Sequence, residues 1–240
     1  LPIRNVVSWN ALIAGFAQQG QGHRALDCLE QMQIEGISPD EVTFISILKA
    51  CGSIGAIGKG KQVHEHILNR GLLEKDIVLS SALVDMYAKC GHIEKAIDVF
   101  HELPFRDVVT WTALIGGYIQ HDRCEEALNH LTRMRMMGIS PNVVTYVCGL
   151  KACAKLGSVN IGEEIHAEIE KLGFVATNQF VGNALIDMYA KCGMLTDAHN
   201  VIHKLPNRDI VSWNALIAGY ADNDYGNEAI SCYRQMLSEN

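Results

Sequence analysis

The stretch VVSWNALIAGF, at Val6–Phe16, decides the fold because it occurs three times in the chain. Near-copies follow as VVTWTALIGGY at Val108–Tyr118 and IVSWNALIAGY at Ile210–Tyr220. Internal repetition at a fixed period is typical of proteins that stack one small structural unit many times. The sequence therefore predicts a repeat protein. All three tryptophans occupy the same place in the copies, 102 residues apart: Trp9, Trp111 and Trp213.

Each 102-residue period is predicted to contain three helical hairpins. In residues 6–40, apolar side chains recur at helical spacing in two segments, with glycines between the segments and Gly36 and Pro39 after them. Gly20 and Gly22 are predicted to lie in the break, and Ser8 is the predicted N-cap of the first helix, as are Thr110 and Ser212 in its copies. A hairpin cannot bury its apolar face alone, so neighbouring hairpins must stack. The predicted fold is all-α: a single α-solenoid over residues 1–240.

The landmarks divide the chain into units of three different lengths, which recur in the same rotation. The predicted bounds are 6–40, 41–76, 77–107, 108–142, 143–178 and 179–209, with an incomplete unit at 210–240. Residues 1–5 match the ends of the two short units, so they are interpreted as the tail of a preceding one. The chain thus begins inside a motif and is interpreted as a fragment, and its lack of a targeting segment carries no information.

Composition and charge narrow the function classes. The apolar fraction of 48% and the charged fraction of 20% are typical of a folded domain, and no apolar run approaches the roughly 20 residues of a transmembrane helix. The net charge of −7 argues against a broadly basic surface that grips phosphates. The eight cysteines lack any CxxC pair and are interpreted as reduced thiols.

No enzyme motif or metal site is predicted. His64 and His166 recur with Cys51 and Cys153, but without the short spacing of zinc ligands, so packing is favoured. An H-x-E at His166–Glu168 lacks the P-C-x-x-C of zinc deaminases, and no phosphate loop or nucleophile elbow occurs. We expect no catalytic residues, no metal and no cofactor. The tryptophans could stack on bases, but a place in the inter-repeat core is favoured.

Several motifs resemble the pentatricopeptide repeat family. They are GISPD at Gly36–Asp40, GISPN at Gly138–Asn142, the DMYAKCG of both periods, and GKQVHEHI at Gly60–Ile67. Tetratricopeptide repeats share the early Trp but differ in repeat length and in their pattern of small residues. The rotation of three unit lengths resembles the plant-type subclass built from P, L and S motifs. The resemblance implies a right-handed superhelix, with P motifs at 6–40 and 108–142, L motifs at 41–76 and 143–178, and S motifs at 77–107 and 179–209.

By resemblance, the chain is expected to bind single-stranded RNA in mitochondria or chloroplasts, as part of a factor for cytidine-to-uridine editing. In the family each motif reads one base with the fifth residue of its first helix and with the motif's last residue. A last Asp accepts from uracil or guanine, whereas a last Asn donates to adenine or cytosine. The implied pairs are Asn10 with Asp40 for uracil, Ser81 with Asp107 for guanine, Thr112 with Asn142 for adenine, and Asn183 with Asp209 for uracil.

The remaining motifs complete the implied target. Asn214 alone gives a pyrimidine, while Ile45 with Asp76 and Val147 with Asn178 have an aliphatic fifth residue that cannot hydrogen-bond. The expected target is 5′-U-n-G-A-n-U-Y-3′. The alternative to base reading is that the polar fifth residues are ordinary polar side chains in the first turn of a helix.

Two further sets of residues follow from the resemblance. Lys89 and Lys191 are expected near phosphates, with ordinary solvent exposure as an equal alternative. The second residue of each motif is expected to wedge between bases: Val7, Val42, Val78, Val109, Val144, Phe180 and Val211.

The expected partner is an organellar transcript, with accessory editing proteins docking at the L motifs and with no membrane and no small-molecule substrate. A protein-binding scaffold, or an RNA stabilisation or splicing factor without editing, remains the alternative.

Overall fold

The computed structural model describes residues 5–73 and 76–239, and most of these residues lie in helices. Leu1–Arg4, which belong to the predicted tail of a preceding motif, lie outside the described residues, as do Glu74, Lys75 and Asn240. None of the helices in the described ranges is long and apolar enough to cross a membrane.

The chain divides into two compact units, Leu1–Asp122 and Arg123–Asn240. The helices of the first unit are α1 Val6–Gln18, α2 Gly22–Ile34, α3 Glu41–Ile54, α4 Ile57–Asn69, α5 Ile77–Lys89, α6 Ile93–Glu102 and α7 Val108–Gln120. Those of the second are α8 Cys124–Met136, α9 Val143–Leu156, α10 Val159–Lys171, α11 Phe174–Thr177, α12 Gln179–Lys191, α13 Leu195–Lys204, α14 Ile210–Asp222 and α15 Gly226–Glu239.

Both units are built from antiparallel helix pairs in two layers. In the first unit α1, α3, α5 and α7 pack in sequence, and α2, α4 and α6 each pack against the helix before and the helix after. In the second unit α9, α12 and α14 form one layer, and α10 and α13 bridge them in the same way. The predicted all-α fold of stacked hairpins is confirmed in each unit. Every helix of the first layers begins at the first residue of a predicted motif, although the division into P, L and S motifs stays a prediction.

The repeated tryptophans belong to the core. Trp9, Trp111 and Trp213 are at most 3% exposed, so they cannot serve as platforms on which bases stack. Phe100 meets the Trp111 ring edge-on at 4.9 Å between centroids, a favourable aromatic geometry. The interpretation of these residues as packing residues is therefore the one that the structure supports.

Three glycines at the same place in the repeated stretch differ in what surrounds them. A Cβ added at Gly117 would lie 2.7 Å from Cβ of Ala88, and one at Gly219 would overlap Cβ of Ala190. The equivalent Gly15 has nothing within 4 Å, and Leu12 beside it is 41% exposed although its copies are fully buried. The repeated stretch thus lets α7 approach α5 closely, and lets α14 approach α12 closely.

Two sequence predictions about helix boundaries are wrong. Gly22 does not lie in the break: it is the first residue of α2, where its missing side chain makes room for Ile54. Nor are the hydroxyl residues the N-caps; Ser8 is the third residue of α1, and Asn5 caps that helix by accepting from the Ser8 N–H. The physical reason is that a hydroxyl at the third position returns a bond to the cap, forming a capping box. Thr110 and Ser212 are third residues in the same way.

Candidate functional site

The last residue of each predicted motif is the N-cap of the following first-layer helix. A short side chain with an acceptor at this place satisfies backbone N–H groups that have no partner inside the helix. The predicted base-reading residues at this end of the motif therefore have a structural task as well. The six caps are Asp40 on α3, Asp76 on α5, Asp107 on α7, Asn142 on α9, Asn178 on α12 and Asp209 on α14.

In each cap the Oδ1 atom accepts the backbone N–H, and the second polar atom of the side chain takes no part in capping. Asp107 Oδ1 accepts from the Thr110 N–H at 2.9 Å, while its Oδ2 accepts no bond from the residues that the structure describes. Asn142 Oδ1 accepts from the Thr145 N–H, also at 2.9 Å. Because capping requires an oxygen, the Asn142 amide is turned so that its NH₂ group is the atom left over. Asp offers a second acceptor at this place, and Asn offers a donor.

The predicted pair in the first motif is in direct contact. Asn10 Nδ2 lies 2.8 Å from Asp40 Oδ1 and 3.0 Å from Oδ2, and Asn10 is only 8% exposed. Thr43 donates its hydroxyl to Asn10 Oδ1, and the Asp40 N–H donates to the same hydroxyl at 3.1 Å. One closed network thus joins three residues: the fifth and last residues of the motif and the third residue of the next first-layer helix, α3.

The second Asn–Asp pair, in the motif at 179–209, is looser. Asn183 Nδ2 lies 3.4 and 3.5 Å from the two oxygens of Asp209, and Ser212 donates to Asn183 Oδ1 at 2.6 Å. Gln179, the first residue of α12, donates to the Ser212 hydroxyl at 3.0 Å and lies 3.5 Å from Asn183 Oδ1. An additional donor is therefore inserted into this site.

The Ser81–Asp107 pair is joined through a third residue. The hydroxyls of Ser81 and Thr110 lie 2.7 Å apart, and Thr110 Oγ1 lies 2.8 Å from Asp107 Oδ1. Ser81 is 3% exposed and also donates to the carbonyl of Ile77 at 2.8 Å. The structure brings these two predicted residues to one network without a direct bond.

The other predicted fifth residues are placed as follows. Thr112, half-buried on α7 in the first unit, donates to the carbonyl of Val108 at 2.6 Å. Asn214 on α14 is exposed, and Ile45 and Val147 are half-buried. The roles of all these residues in base reading stay predictions.

A row of apolar side chains accompanies these sites. The second residues of the first-layer helices are all more than half exposed, from 53% at Val42 and Val109 to 77% at Phe180. Exposed apolar residues repeated at a fixed position have no packing role to explain them. Their availability is what the predicted wedging between bases requires: Val7, Val42, Val78, Val109, Val144, Phe180 and Val211.

The two predicted phosphate-contacting lysines are paired within their own helices. Lys89 lies 2.7 Å from Asp85, and Lys191 lies 2.9 Å from Asp187, each pair one helical turn apart. Such exposed pairs contribute little to stability, because solvent screens them. Each positive charge is nevertheless offset by a carboxylate, which weakens the attraction of these lysines for phosphate. Their predicted role is untested.

The two capping carboxylates with Asn partners are held in the ionised form. Burial opposes ionisation of Asp40, but the Thr43 N–H and the side chains of Asn10 and Thr43 outweigh burial and lower its pKa. At Asp209 burial is again opposed, here by the N–H and hydroxyl of Ser212 and by Asn183, and the pKa is lowered. Both side chains are therefore pure acceptors at neutral pH.

The recurring His and Cys residues are packing residues. His64 Nδ1 lies 2.8 Å from the hydroxyl of Tyr87, and His166 makes the same contact with Tyr189. Burial raises the pKa of the Cys51 thiol to about 11, which leaves no reactive thiolate near neutral pH. Within residues 5–73 and 76–239 no three His, Cys, Asp or Glu side chains are arranged to hold a metal ion.

Sequence reasoning missed the role of the third-residue hydroxyls. Thr43, Thr110 and Ser212 are completely buried, and each contacts both the cap and the fifth residue of the preceding motif. Their recurrence is visible in the sequence, where capping alone is enough to explain it. The signal that could have identified the second contact is the interruption of this recurrence at Leu79 and Val181.

Family models match most of the chain. The model described as the PPR repeat family matches residues 4–53 and 106–155, and the PPR repeat model matches residues 78–108, 183–210 and 211–240. Relatives from Arabidopsis thaliana include Pentatricopeptide repeat-containing protein At4g18520, chloroplastic, 42% identical over 98% of this chain. Another is Pentatricopeptide repeat-containing protein At3g02330, mitochondrial, 38% identical over 99% of it. The chain spans 38% and 28% of the lengths of these two relatives.

Solved structures of the same family share the fold. The crystal structure of the pentatricopeptide repeat protein PPR10 in complex with an 18-nt psaJ RNA element matches 98% of this chain and 35% of its own, with a TM-score of 0.79 and 22% identity. The structure of PPR10 from maize matches 97% of this chain and 35% of its own, with a TM-score of 0.61 and 24% identity. The family models and the relatives establish that the chain belongs to the pentatricopeptide repeat family.

Proposed function

We propose that this chain binds single-stranded RNA by sequence, one base for each predicted motif. The target is 5′-U-n-G-A-n-U-Y-3′, in which the first, third, fourth and sixth bases are read by the Asn10, Ser81, Thr112 and Asn183 motifs. The chain acts by binding alone and catalyses no reaction itself.

One observation carries the proposal: the helix cap determines which atom the last residue presents. With Oδ1 engaged by the Thr110 N–H, Asp107 is left with a second acceptor, which suits the N1–H group of guanine. With the same oxygen engaged, Asn142 is left with its NH₂ group, which suits the bare ring nitrogen of adenine. A difference of one atom in a fixed frame is a sound basis for telling bases apart.

Two further observations support RNA as the ligand. The exposed apolar second residues follow the last residues by two positions in the sequence, and apolar side chains of this kind suit contact with base faces. The fold match to PPR10, a protein whose structure holds an 18-nt RNA element, adds support of the same kind. Because the net charge is −7, base contacts and not phosphate contacts must supply the specificity.

Titration with labelled RNA tests the proposal. The chain is mixed with a labelled UNGANUY single strand and with strands of the same composition in scrambled order, at a fixed salt concentration. We expect at least about tenfold tighter binding to the target, as two or three well-made polar base contacts would give. Equal weak binding to all strands, also in a longer piece of the protein, would contradict sequence recognition.

Asn142→Asp is the sharpest single substitution. The cap survives because Asp also supplies Oδ1, while the donor left over becomes an acceptor. We expect the preference at the fourth base to move from adenine to guanine, with the other positions unchanged. Competition binding with four strands that differ only at the fourth base measures this, and an unaltered adenine preference would show that the residue does not read that base.

We further propose that the parent protein directs cytidine-to-uridine editing in mitochondria or chloroplasts. Support comes from the rotation of three motif lengths and from relatives whose names carry both organelles. The deamination itself is assigned to another domain or a recruited partner. Sequencing organellar transcripts from a plant lacking the protein tests this: loss of editing downstream of UNGANUY sites is expected, whereas altered transcript ends or retained introns alone would favour stabilisation or splicing.

A second candidate function is protein docking at the predicted L motifs. The favouring observation is that Ile45 and Val147 are half-buried and aliphatic where other motifs have a polar reading residue, and Val42 and Val144 are more than half exposed near them. Ile45→Asn with Val147→Asn tests this, since capture of accessory editing proteins should fall while RNA affinity does not.

A further inference from the structure

Three buried hydroxyls connect the capping residues to the fifth residues that are proposed to read bases with them. Thr43, Thr110 and Ser212 are each the third residue of a first-layer helix and are completely buried. Each lies within hydrogen-bond distance of the fifth residue of the preceding motif: Asn10, Ser81 and Asn183 respectively. A buried polar group in such a network is satisfied by one arrangement of its neighbours and not by others.

The network at Asn10 admits a single amide orientation. Asp40 is ionised and only accepts, so the NH₂ group of Asn10 must face it, at 2.8 and 3.0 Å. The Thr43 hydroxyl accepts from the Asp40 N–H, and its oxygen lies within hydrogen-bond distance of Asn10 Oδ1 and 2.9 Å from Asp40 Oδ1. If Asn10 turned over, its NH₂ group would lose the carboxylate, and its oxygen would face two acceptors. The hydroxyl and the carboxylate together therefore hold the amide.

Ser212 performs the same task at Asn183. Its hydroxyl lies 2.6 Å from Asn183 Oδ1, and its N–H donates to the capping Asp209 at 2.8 Å. Since the Asn183–Asp209 distances of 3.4 and 3.5 Å are long for hydrogen bonds, the bond from Ser212 is the strongest hold on this amide.

The sequence pairs the two positions throughout the chain. A polar fifth residue is followed by a hydroxyl at the third residue of the next helix in four motifs: Asn10 with Thr43, Ser81 with Thr110, Thr112 with Thr145, and Asn183 with Ser212. The two predicted L motifs have aliphatic residues at both places, Ile45 with Leu79 and Val147 with Val181, and the latter member of each pair is fully buried. Capping does not explain this pairing, because Asp76 and Asn178 cap their helices without any hydroxyl.

We propose that the third residue of the next first-layer helix is a positioning residue for base recognition. Its hydroxyl holds the fifth residue in the orientation that presents one set of polar atoms to the base, and it does so without touching the RNA. This inference rests on the proposed function and adds a third residue to each reading site.

Thr43→Val tests the inference, because valine keeps the shape and removes the hydroxyl. We expect the preference for uracil over cytosine at the first base to fall about fivefold, the value of one hydrogen bond, with preferences at the other bases unchanged. Thr43→Ser should restore it. Ser212→Ala gives an independent arm, in which the same loss is expected at the sixth base only.

Ser8→Ala is the matched control. Ser8 forms the same capping box with Asn5 as Thr43 does with Asp40, but the described residues place no reading side chain against it. It therefore reports the loss of capping alone, and we expect its base preferences to equal those of the wild type. Thermal unfolding of all variants is recorded alongside.

The outcomes separate the two proposals. If the wild-type chain does not distinguish UNGANUY from scrambled strands, the proposed function fails. If the wild type distinguishes them and Thr43→Val keeps its first-base preference, or loses affinity equally at every base, the positioning role alone is overturned.

Discussion

The Asn10–Asp40 and Asn183–Asp209 sites have the same two side chains, yet only the first holds them in a tight pair. The amide nitrogen lies 2.8 and 3.0 Å from the carboxylate oxygens in the first site and 3.4 and 3.5 Å in the second. The difference begins at the first residue of the helix, which is Val6 in one case and Gln179 in the other. Gln179 supplies a donor that Val6 cannot. Two sites with identical reading residues thus differ in how firmly those residues are held.

The largest effect that would sharpen this comparison comes from the carboxylates. Asp40→Asn keeps the cap and exchanges an acceptor for a donor, so the first-base preference should move from uracil to cytosine. Asp209→Asn should do the same at the sixth base. We expect changes in the ratio of the uracil and cytosine Kd values of about tenfold at the first base and about threefold at the looser sixth. Equal changes at both would show that firmness has no bearing on discrimination.

The next effect concerns stability. Asn10→Ala removes a buried amide with its bonds to Asp40 and Thr43, which should lower the free energy of unfolding by about 1 kcal/mol. Asn183→Ala should cost about half as much, because the bonds to Asp209 are long and Gln179 remains to pair with Ser212. Urea unfolding measures both, with the exposed Asn214→Ala as the control.

A smaller effect is expected from the first residue of the helix. Gln179→Val removes the extra donor and makes the second site resemble the first, so uracil preference at the sixth base should rise about twofold. Val6→Gln should lower it at the first base by a similar factor. Competition binding measures the ratio of the uracil and cytosine Kd values in each variant. A fall in uracil preference for Gln179→Val, or a rise for Val6→Gln, would contradict this explanation of the looser geometry.

The smallest effect is a dependence on pH. Because hydrogen bonds lower the pKa of Asp40 and of Asp209 in the folded chain, each carboxylate stabilises the fold fully above its unfolded pKa of about 3.9. That contribution is lost as the pH falls through the folded value. The difference in unfolding free energy between wild type and Asp40→Asn should therefore be constant from pH 7 to pH 5 and should change only below about pH 4. A change near pH 6 would contradict the assignment.

Much of the fold follows from the repeats, because a 102-residue period and helical apolar spacing leave few alternatives to stacked hairpins. Helix caps are harder to place: Ser8 and Asn5 are both good capping residues in neighbouring turns, and only backbone geometry tells the cap from its partner. Gly22 is misplaced by sequence reasoning because a glycine that permits close helix contact is identical in sequence to one that breaks a helix.

For the candidate site, the sequence predicts which residues meet but not how closely. The positions of Asn10 and Asn183 come from the repeats, whereas the difference between their sites depends on Gln179, whose side-chain contacts no repeated pattern predicts. For the hydroxyls of Thr43 and Ser212, the sequence indicates only a contact with the helix-cap backbone. Their second contact is with a residue in the preceding motif, which local sequence does not reveal.

The double duty of the capping residue sets how much information one repeat can hold at that position. A side chain there must spare one oxygen for the helix and keep a second polar atom for the base. Serine and threonine have a single oxygen, so only Asp and Asn among the good caps meet both needs. The last residue of each of the six complete predicted motifs is Asp or Asn. On the proposed function, the position takes one of two residues, Asp or Asn, so each repeat distinguishes two classes of base there. A change from one class to the other requires one codon change, which leaves the helix cap intact.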